Sequence, residues 1–584
     1  MKFTTTTILS SALLLGLAFT NTANAQSGLF NNRGAVVYIN NGAVVRVLGT
    51  VTNQDTLANM TNMGDFYIDN NFINDSVAQG SGVWHVWGDW VNNRRFNPDA
   101  SEVRLEGANQ FITGDTVTQF HDLTLAGTGV KTQTLNAEVN HLLNLNDIEL
   151  ATDQFDMDVL TTNTAAITRT TGFVSSLGNG KLYRNTAVNA TYLFPTGSSV
   201  GFIRYRPAEI RPTVAETGRY GVRLVNNDPN FDGYDRALVD TILCTLDSLF
   251  YHRINRTAGN NPVDLSLFYN TNENDPQWEI LGNWSVGPNQ WNGMDITTAA
   301  PQGNLVGLTH TNWNNFSQEP YEMGFRRPNP PIITGPNLIC GGTGGNSYFA
   351  TPVLNGGTYN WNVTGGTLAG GQGSAFATIN WANSGSGFIT STVTAPNGCI
   401  SGIGSLAIQL YITPTAVFNP DTNNVFAFDM IHFVDSSFDG PVDWSWDFGD
   451  GITTTEQSPY HMYEEPGTYN VCLIVASNEG CTDTVCTQIE VVEGLIVPNV
   501  FTPDGDGIND VFHVKNSGME EYSLDVYNRW GILLFSTTAP QLKWDARTNA
   551  GEKVPPGVYY YVLVAKSATN EYKKQGAVQV LYSN

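Results

Sequence analysis

Three stretches near the start of the chain share one alternation of apolar and polar positions. Gly42 to Asn53 reads GAVVRVLGTVTN, Gly64 to Asn74 reads GDFYIDNNFIN, and Gly82 to Asn92 reads GVWHVWGDWVN. Each opens on Gly, alternates apolar residues, breaks at Gly or Asn, resumes with one apolar pair and stops at Asn. The starts lie 22 and 18 residues apart, and weaker echoes follow in SEVRLEGANQFITG (Ser101 to Gly114) and FHDLTLAGTGV (Phe120 to Val130). Period-two alternation predicts strands. A repeat near twenty residues with two short strands per unit predicts a coil of a β-solenoid, which buries its apolar face only by stacking on the next coil. Asn at matching turns is expected to form a side-chain ladder along the stack. The rival reading is an ordinary sandwich with regular hairpins.

Beyond the repeats the pattern changes to short strands punctuated by Gly, Pro and Asn. Between Thr191 and Arg327 the runs FPTGSS, RYRPAEI, FYHRINRT and VDLSLFYN predict a second sandwich, closed by the Pro-rich linker RRPNPPIITGP (Arg326 to Pro336). Further on, Trp444, Trp446 and Phe448 alternate and so share one face, with Gly449-Asp450-Gly451 as the hairpin turn and Tyr463 and Tyr469 as further core or corner aromatics. In the final stretch Phe535, Tyr559, Tyr561 and Val578 lie in alternating or β-branched runs bounded by Gly and Pro, again a small sandwich.

Several of these segments carry motifs. The final one opens VPNVFTPDGDGINDVF (Val497 to Phe512), passes through YNRWG (Tyr527 to Gly531) and Trp544-Asp545, and closes KVPPGVYYYVLV (Lys553 to Val564). It resembles the type B C-terminal sorting domain of the type IX secretion system, also called the gliding-motility-associated C-terminal domain. It departs from that family at Ala546, where a Gly that tolerates positive φ is usual. Asp443 to Val475, with its WDFGDG, HMY and PGTYNV, resembles a PKD domain, and YNWNVTGGTLAGG (Tyr359 to Gly371) with INWANSGSG (Ile379 to Gly387) resembles the Ig-like, PKD-like repeats of exported bacterial proteins. These resemblances imply spacer or adhesive modules and a partner in the type IX secretion machinery.

The expected architecture is all-β: signal peptide 1–25, β-solenoid-like repeats 26–190, β-sandwich 191–327, Ig-like/PKD-like domain 328–413, PKD domain 414–493 and β-sandwich sorting domain 494–584. Lys2, the apolar run Ile8 to Phe19 and Ala23-Asn24-Ala25 have the order of a secretory signal, which places the mature start at Gln26. The run is too short for a stable membrane anchor, and no later segment approaches a transmembrane length. With 53 acidic against 28 basic residues the net charge is −25, which argues against nucleic acid and anionic membranes as partners, since both need basic patches. An acidic surface suits calcium-rich surroundings outside the cell.

An exported chain with six cysteines is expected to form disulfides. Cys472 and Cys486 lie on consecutive predicted strands joined by a short loop at Asn478 to Gly480, opposite each other. Cys340 and Cys399 bracket another β-rich segment and form the second expected pair. Cys244 and Cys481 remain by parity.

Candidate chemistry is sparse. There is no G-x-S-x-G, H-E-x-x-H, Cys-x-x-Cys or phosphate-loop motif, and the eight histidines are scattered singly. Asp147, Asp153, Asp156 and Asp158 cluster, as carboxylates of a polysaccharide-cleaving solenoid would, but straddle an expected turn and read as a solvated loop. Asp447, Asp450 and His461 read as turn chemistry rather than an acid/base set. Of Trp84, Trp87 and Trp90, alternation sends Trp84 inward and Trp87 to the other face, making Trp87 the candidate for stacking on a sugar ring, against the leading reading that all three fill the solenoid core or cover its ends. Asp504, Asp506, Asn509 and Asp510 place oxygens at alternating positions on a Gly-rich loop, a pattern hard cations such as Ca²⁺ use, without the downstream Glu of an EF-hand. The competing role for these side chains is an Asx-turn network. No cofactor is required, with Ca²⁺ the single candidate. The expectation is a non-enzymatic, secreted or outer-surface protein, adhesive or structural, exported first to the periplasm and then by the type IX system. Glycans or other cell-surface proteins would be its partners. The alternative is a polysaccharide-binding or polysaccharide-degrading surface protein using the solenoid or second domain.

Overall fold

A computed structural model describes residues 23–24, 28–273, 275–422, 425–567 and 570–582. The expected signal peptide, 1–25, and the start at Gln26 lie outside these residues, apart from Ala23 and Asn24. Strands dominate, and two short 3-10 turns, Pro229–Asp232 and Thr271–Glu273, are the helical segments among the described residues. None is long and apolar enough to cross a membrane. The chain divides into two compact units, Met1–Asn329 with Thr394–Ser401, and Pro330–Val393 with Gly402–Asn584.

The first unit begins as a parallel β-solenoid. Val44–Val47, Asp65–Ile68, Val83–Val86, Glu102–Leu105, Thr118–Leu125, Ala137–Asn144, Met157–Val159 and Leu182–Thr186 pair in that order along one sheet, and a second sheet stacks Val51–Gln54, Phe72–Asn74, Trp90–Asn92 and Gln110–Thr113 in the same way. The repeat keeps inward positions in register: Phe66, Trp84, Val103, Leu123 and Leu143 form one buried file. Val51, Phe72, Trp90 and Ile112 form another. Each such large side chain contributes about 2–3 kcal/mol on burial.

Early coils contain three strands, one more than the repeat predicts. The third sheet joins Val36–Ile39, Asn59–Asn62, Val77–Gln79 and Arg95–Asn97. A segment such as NMTN reads as polar, yet Met60 and Asn62 are both buried. The ladder of asparagines is present, in the C-terminal halves of the second-sheet strands rather than at turns. Asn32 donates to Asn53 (2.9 Å), Asn53 to Asn74 (3.0 Å) and Asn74 to Asn92 (2.9 Å), and all four are buried. It ends because the next rung is Gly114, where a Cβ would lie 2.1 Å from the Asn92 carbonyl oxygen.

The solenoid does not stop at a linker. Leu182–Thr186 pairs in parallel with Met157–Val159 and antiparallel with Gly218–Val225, so the same sheet continues through Tyr251–Ala258, Pro320–Arg326, Ile280–Ser285 and Gln290–Met294. One core runs through both parts. The expected boundary at 190/191 is therefore no break in the sheet, and the antiparallel strand covers an edge that the last coil would otherwise expose. The sandwich also buries charge. Arg206 is fully buried with Nε donating to Asp275 (2.7 Å) and Nη1 to Glu273 (2.8 Å). Asp247 and Glu322 are buried near each other, and burial pushes the Asp247 carboxyl up to about 6 and that of Glu322 well above its ordinary value.

The second unit holds three sandwiches, each with its own core. The first packs Tyr348, Trp361, Trp381 and Ile389, the second Phe418, Trp446, Phe448 and Val471, the third Phe501, Phe512, Trp544 and Leu563. In the second, Tyr463 donates its hydroxyl to the Phe448 carbonyl (3.0 Å), while Trp444 is half-buried and donates Nε1 to Asp435 (2.9 Å). In the third, Ala546 is buried at φ +59, a left-handed conformation in an L-residue.

The disulfides revise one expected pairing. Cys472 and Cys486 are directly opposed and bonded, with Cα atoms 4.1 Å apart. Cys340, however, is bonded to Cys481 and Cys399 to Cys244. Cys340 is registered with Tyr411, the far end of the strand Gly404–Tyr411, whereas Cys399 precedes the start of that strand. Seven residues of extended chain separate the ends by roughly 23 Å, beyond the roughly 6 Å a disulfide spans.

Candidate functional site

The outward face of the main solenoid sheet concentrates the polar and aromatic side chains that the core does not use. Tyr67 and His85 are registered neighbours, and their rings stack at 4.1 Å, 4° from parallel. Trp87 continues this column, 6.1 Å from Tyr67 and 6.4 Å from His85, with the Arg46 guanidinium 5.8 Å from its ring centroid. Trp84 and Trp90 are fully buried, while Trp87 is half-buried and lies on this outer face. His85 is held by Glu106 at 3.0 Å. Tyr67 and His85 turn their ring faces to each other, so the half-buried Trp87, with Arg46 beside it, is the member of the column with ring surface to offer a sugar.

Farther along the same face, a β-bulge brings two histidines together. Phe120 pairs with Val139 but Asp122 with Leu142, so Asn140 and His141 oppose His121 alone. The extra residue breaks the alternation and turns His121, Asp122 and His141 outward together. His141 Nδ1 lies 2.6 Å and His121 Nδ1 3.2 Å from the same Asp122 oxygen, and the two rings stack at 4.8 Å. Two imidazoles and a carboxylate, with donor atoms within 4.8 Å of one another, are the donor set of a transition-metal ion. This group is missed when the histidines are read as scattered. Their separation of 20 residues, one coil, is the signal that finds it.

The other sequence candidates fall into ordinary roles. Asp158 is buried and paired with Arg219 at 2.6 Å, Asp156 accepts from the Lys181 amide (3.0 Å), and Asp147 and Asp153 are exposed. These four do not converge. Asp447 accepts from Gly449 N–H (2.9 Å) and Asp450 from Ile452 N–H (3.0 Å), both turn bonds, while the second Asp450 oxygen meets His461 Nε2 at 2.8 Å. His461 in turn lies flat on Phe448, ring centroids 4.0 Å apart.

In the last sandwich, Asp504, Asp506 and Asp510 bring carboxylate oxygens within 4.8 Å of one another. Asp510 accepts from the N–H groups of Gly505 (2.6 Å) and Gly507 (2.8 Å), and Asp506 from Ile508 N–H (2.7 Å). Asn509 sits at φ +52, and its backbone carbonyl accepts from the Thr502 N–H (2.8 Å). The loop thus has its Asx-turn network, in which both Asp510 oxygens take part. At the NRWG turn, Asn528 accepts from the N–H groups of Trp530 (2.9 Å) and Ile532 (3.0 Å), and the Trp530 side chain is 80% exposed.

Comparison with known proteins places these parts. Residues 495–580 match the CHU_C type IX secretion signal domain, 412–492 a PKD domain and 327–409 a PKD-like domain. The chain is thus a multidomain cargo of the type IX secretion system, a signal that implies delivery to the cell surface or the extracellular space. Among curated proteins it is similar to collagenase ColQ1 of Bacillus cereus strain Q1 (31% identity, 16% of this chain and 11% of the relative) and to collagenase ColA of Bacillus cereus strain ATCC 14579 (27%, 24% and 14%). It spans less than a sixth of either relative. Among solved structures it is similar to the PKD1 domain of Vibrio anguillarum Epp (30% identity, 14% of this chain and 94% of that one, TM-score 0.13). It is also similar to the PKD1 domain of Vibrio cholerae metalloprotease PrtV (33%, 14% and 99%, TM-score 0.13).

Proposed function

We propose that this is a non-enzymatic surface or secreted protein, adhesive or structural, which uses the solenoid and its fused sandwich as the working body. The PKD-type domains act as spacers and the last domain as the export signal. The observation that carries this reading is the match of residues 495–580 to a type IX secretion signal on a sandwich with a core of its own. A self-contained domain can be read by a machine without unfolding the rest. The exposed Trp530 on its rigid turn is the side chain proposed to meet that machinery. Fusing residues 494–584 to a fluorescent reporter behind a signal peptide tests this. Surface or medium fluorescence in a type IX-competent host is expected, reduced by Trp530→Ala, and a reporter held in the periplasm would refute it.

A hard cation such as Ca²⁺ is proposed to steady the Asp504 to Asp510 loop, because three carboxylates ordered in this loop bring oxygens within 4.8 Å of one another. Transport across an oxidising, calcium-containing exterior suits both this loop and the disulfides.

The second reading, polysaccharide binding, is favoured by the outward column of Tyr67, His85 and Trp87. Its test is retention of the protein on immobilised polysaccharides: Trp87→Ala is expected to elute earlier. Equal retention of both proteins, or none by either, sinks it.

A further inference from the structure

Where the solenoid meets the sandwich, the first unit has a cavity of about 450 Å³, lined by Gln154, Ser176, Asn179, Ser198, Arg223 and Arg253 among others. Two of those residues are placed unusually. Arg223 on Gly218–Val225 is the direct cross-strand partner of Arg253 on Tyr251–Ala258, and like charges opposed in this way repel. Arg253 resolves its half of the problem by donating Nε to Glu319 (3.0 Å), but the other Glu319 oxygen is taken by Lys181 (2.9 Å). Arg223 receives nothing. It is only 7% exposed, and among the described residues its guanidinium makes no hydrogen bond or ion pair and its buried Nε has no partner. Asp232 and Glu319 act on this cation only through space, without a hydrogen bond to it, and it faces the cavity.

We propose that the cavity binds a carboxylate-bearing sugar, a uronate unit of an acidic polysaccharide, with its carboxylate on Arg223 and Arg253. A planar guanidinium accepts a carboxylate in a two-pronged pair, and a cation that is already desolvated gains most from one. Burial first, and then Arg253 opposite, hold the Arg223 pKa below its ordinary value, although Tyr251, Asp232 and Glu319 pull the other way. The remaining lining selects the ligand class. Gln154, Ser176, Asn179 and Ser198 offer amides and hydroxyls that suit sugar hydroxyl groups, and Leu177, Val200 and Val225 add an apolar part against which the C–H face of a sugar ring can lie. Asp232 also lines the cavity, but its carboxylate accepts from the Tyr251 hydroxyl. The proposal does not depend on the export reading, because it concerns the solenoid–sandwich body alone.

Calorimetric titration of the full chain with trigalacturonate, maltotriose and inorganic sulfate tests it. Trigalacturonate is expected to bind at least about tenfold more tightly than maltotriose, and Arg223→Gln to lose at least about tenfold, with Arg223→Lys between. Asn227→Asp adds an anion at an exposed lining position and is expected to weaken binding similarly, which keeps the test decisive should Arg223→Gln fail to fold. The proposal is overturned by absence of trigalacturonate binding at about 5 mM, by equal affinity for maltotriose, or by unchanged affinity in folded Arg223→Gln or in Asn227→Asp. Sulfate binding as tightly as the sugar would reassign the site to small inorganic anions and overturn it too.

Discussion

Asn53 donates its side-chain amide to Asn74 at 3.0 Å and, through the same nitrogen, to the Val77 carbonyl at 2.7 Å, so each rung of the ladder ties its coil to the next and to the turn beside it. Asn74 repeats the arrangement one coil on, bonding Asn92 (2.9 Å) and the Arg95 carbonyl (3.0 Å). Every rung is buried, so no water replaces a lost partner.

Asn74→Ala is therefore expected to destabilise the first unit by about 3 kcal/mol, since it takes one of two bonds from the buried Asn53 amide and removes the Asn74 donor from the Asn92 side-chain oxygen and the Arg95 carbonyl. The exposed Asn70→Ala should stay within about 0.5 kcal/mol of wild type. Denaturant unfolding of the two variants distinguishes a ladder that stabilises from one that merely accompanies the coil repeat, for which both would be near neutral.

Mass spectrometry of an unreduced digest should recover peptides joined through Cys244–Cys399, Cys340–Cys481 and Cys472–Cys486. A Cys340–Cys399 peptide would contradict the strand register. The Cys244–Cys399 bond closes a separation of 155 residues, so replacing both with Ser is expected to lower stability by up to roughly 5 kcal/mol.

Asp247 confers a pH dependence of known sign. Its folded pKa, about 6, exceeds the ordinary 3.8, so the folded state holds the proton more tightly. That contribution is complete below about pH 4 and is lost as pH rises through 6. His252 runs the other way: burial lowers its pKa to about 4, so its contribution is complete above 6.5 and lost as pH falls to 4. Because His252 is common to both proteins, Asp247→Asn isolates the carboxyl. The variant is expected to match wild type near pH 4 and exceed it by about 3 kcal/mol near pH 7.5. An equal difference at both pH values would assign the effect to packing instead.

Calcium at about 2 mM should raise the melting temperature of residues 495–584 by a few degrees, magnesium much less, and Asp506→Asn should remove the calcium increment. The segment is suited to the measurement because its core is its own. An unmoved melting curve counts against the cation.

Much of the fold is legible in one dimension because the signals are local. The spacing of Gly42, Gly64 and Gly82 reports a coil, and the alternation of Trp444, Trp446 and Phe448 reports a strand whose inner residues, Trp446 and Phe448, are buried. The third strand of the early coils escapes because a segment such as NMTN carries its apolar content in one Met. The Cys340–Cys399 expectation failed for a different reason: bracketing a segment in sequence says nothing about which end of a strand each residue occupies.

What the sequence alone determined is periodic or motif-borne: all-β architecture, a stacked repeat with Asn at matching positions, PKD-type modules and an export domain. These follow because side-chain alternation, turn residues and conserved-spacing motifs act over a few neighbouring residues. The tertiary structure decided what depends on register between distant strands. It merged solenoid and sandwich into one sheet, sent Cys399 to Cys244, gathered His121, Asp122 and His141 at a bulge, and set Arg223 against Arg253. Strand pairing is chosen by the burial of whole faces, and only that choice fixes which two residues, thirty or a hundred and fifty positions apart, must share a few ångströms.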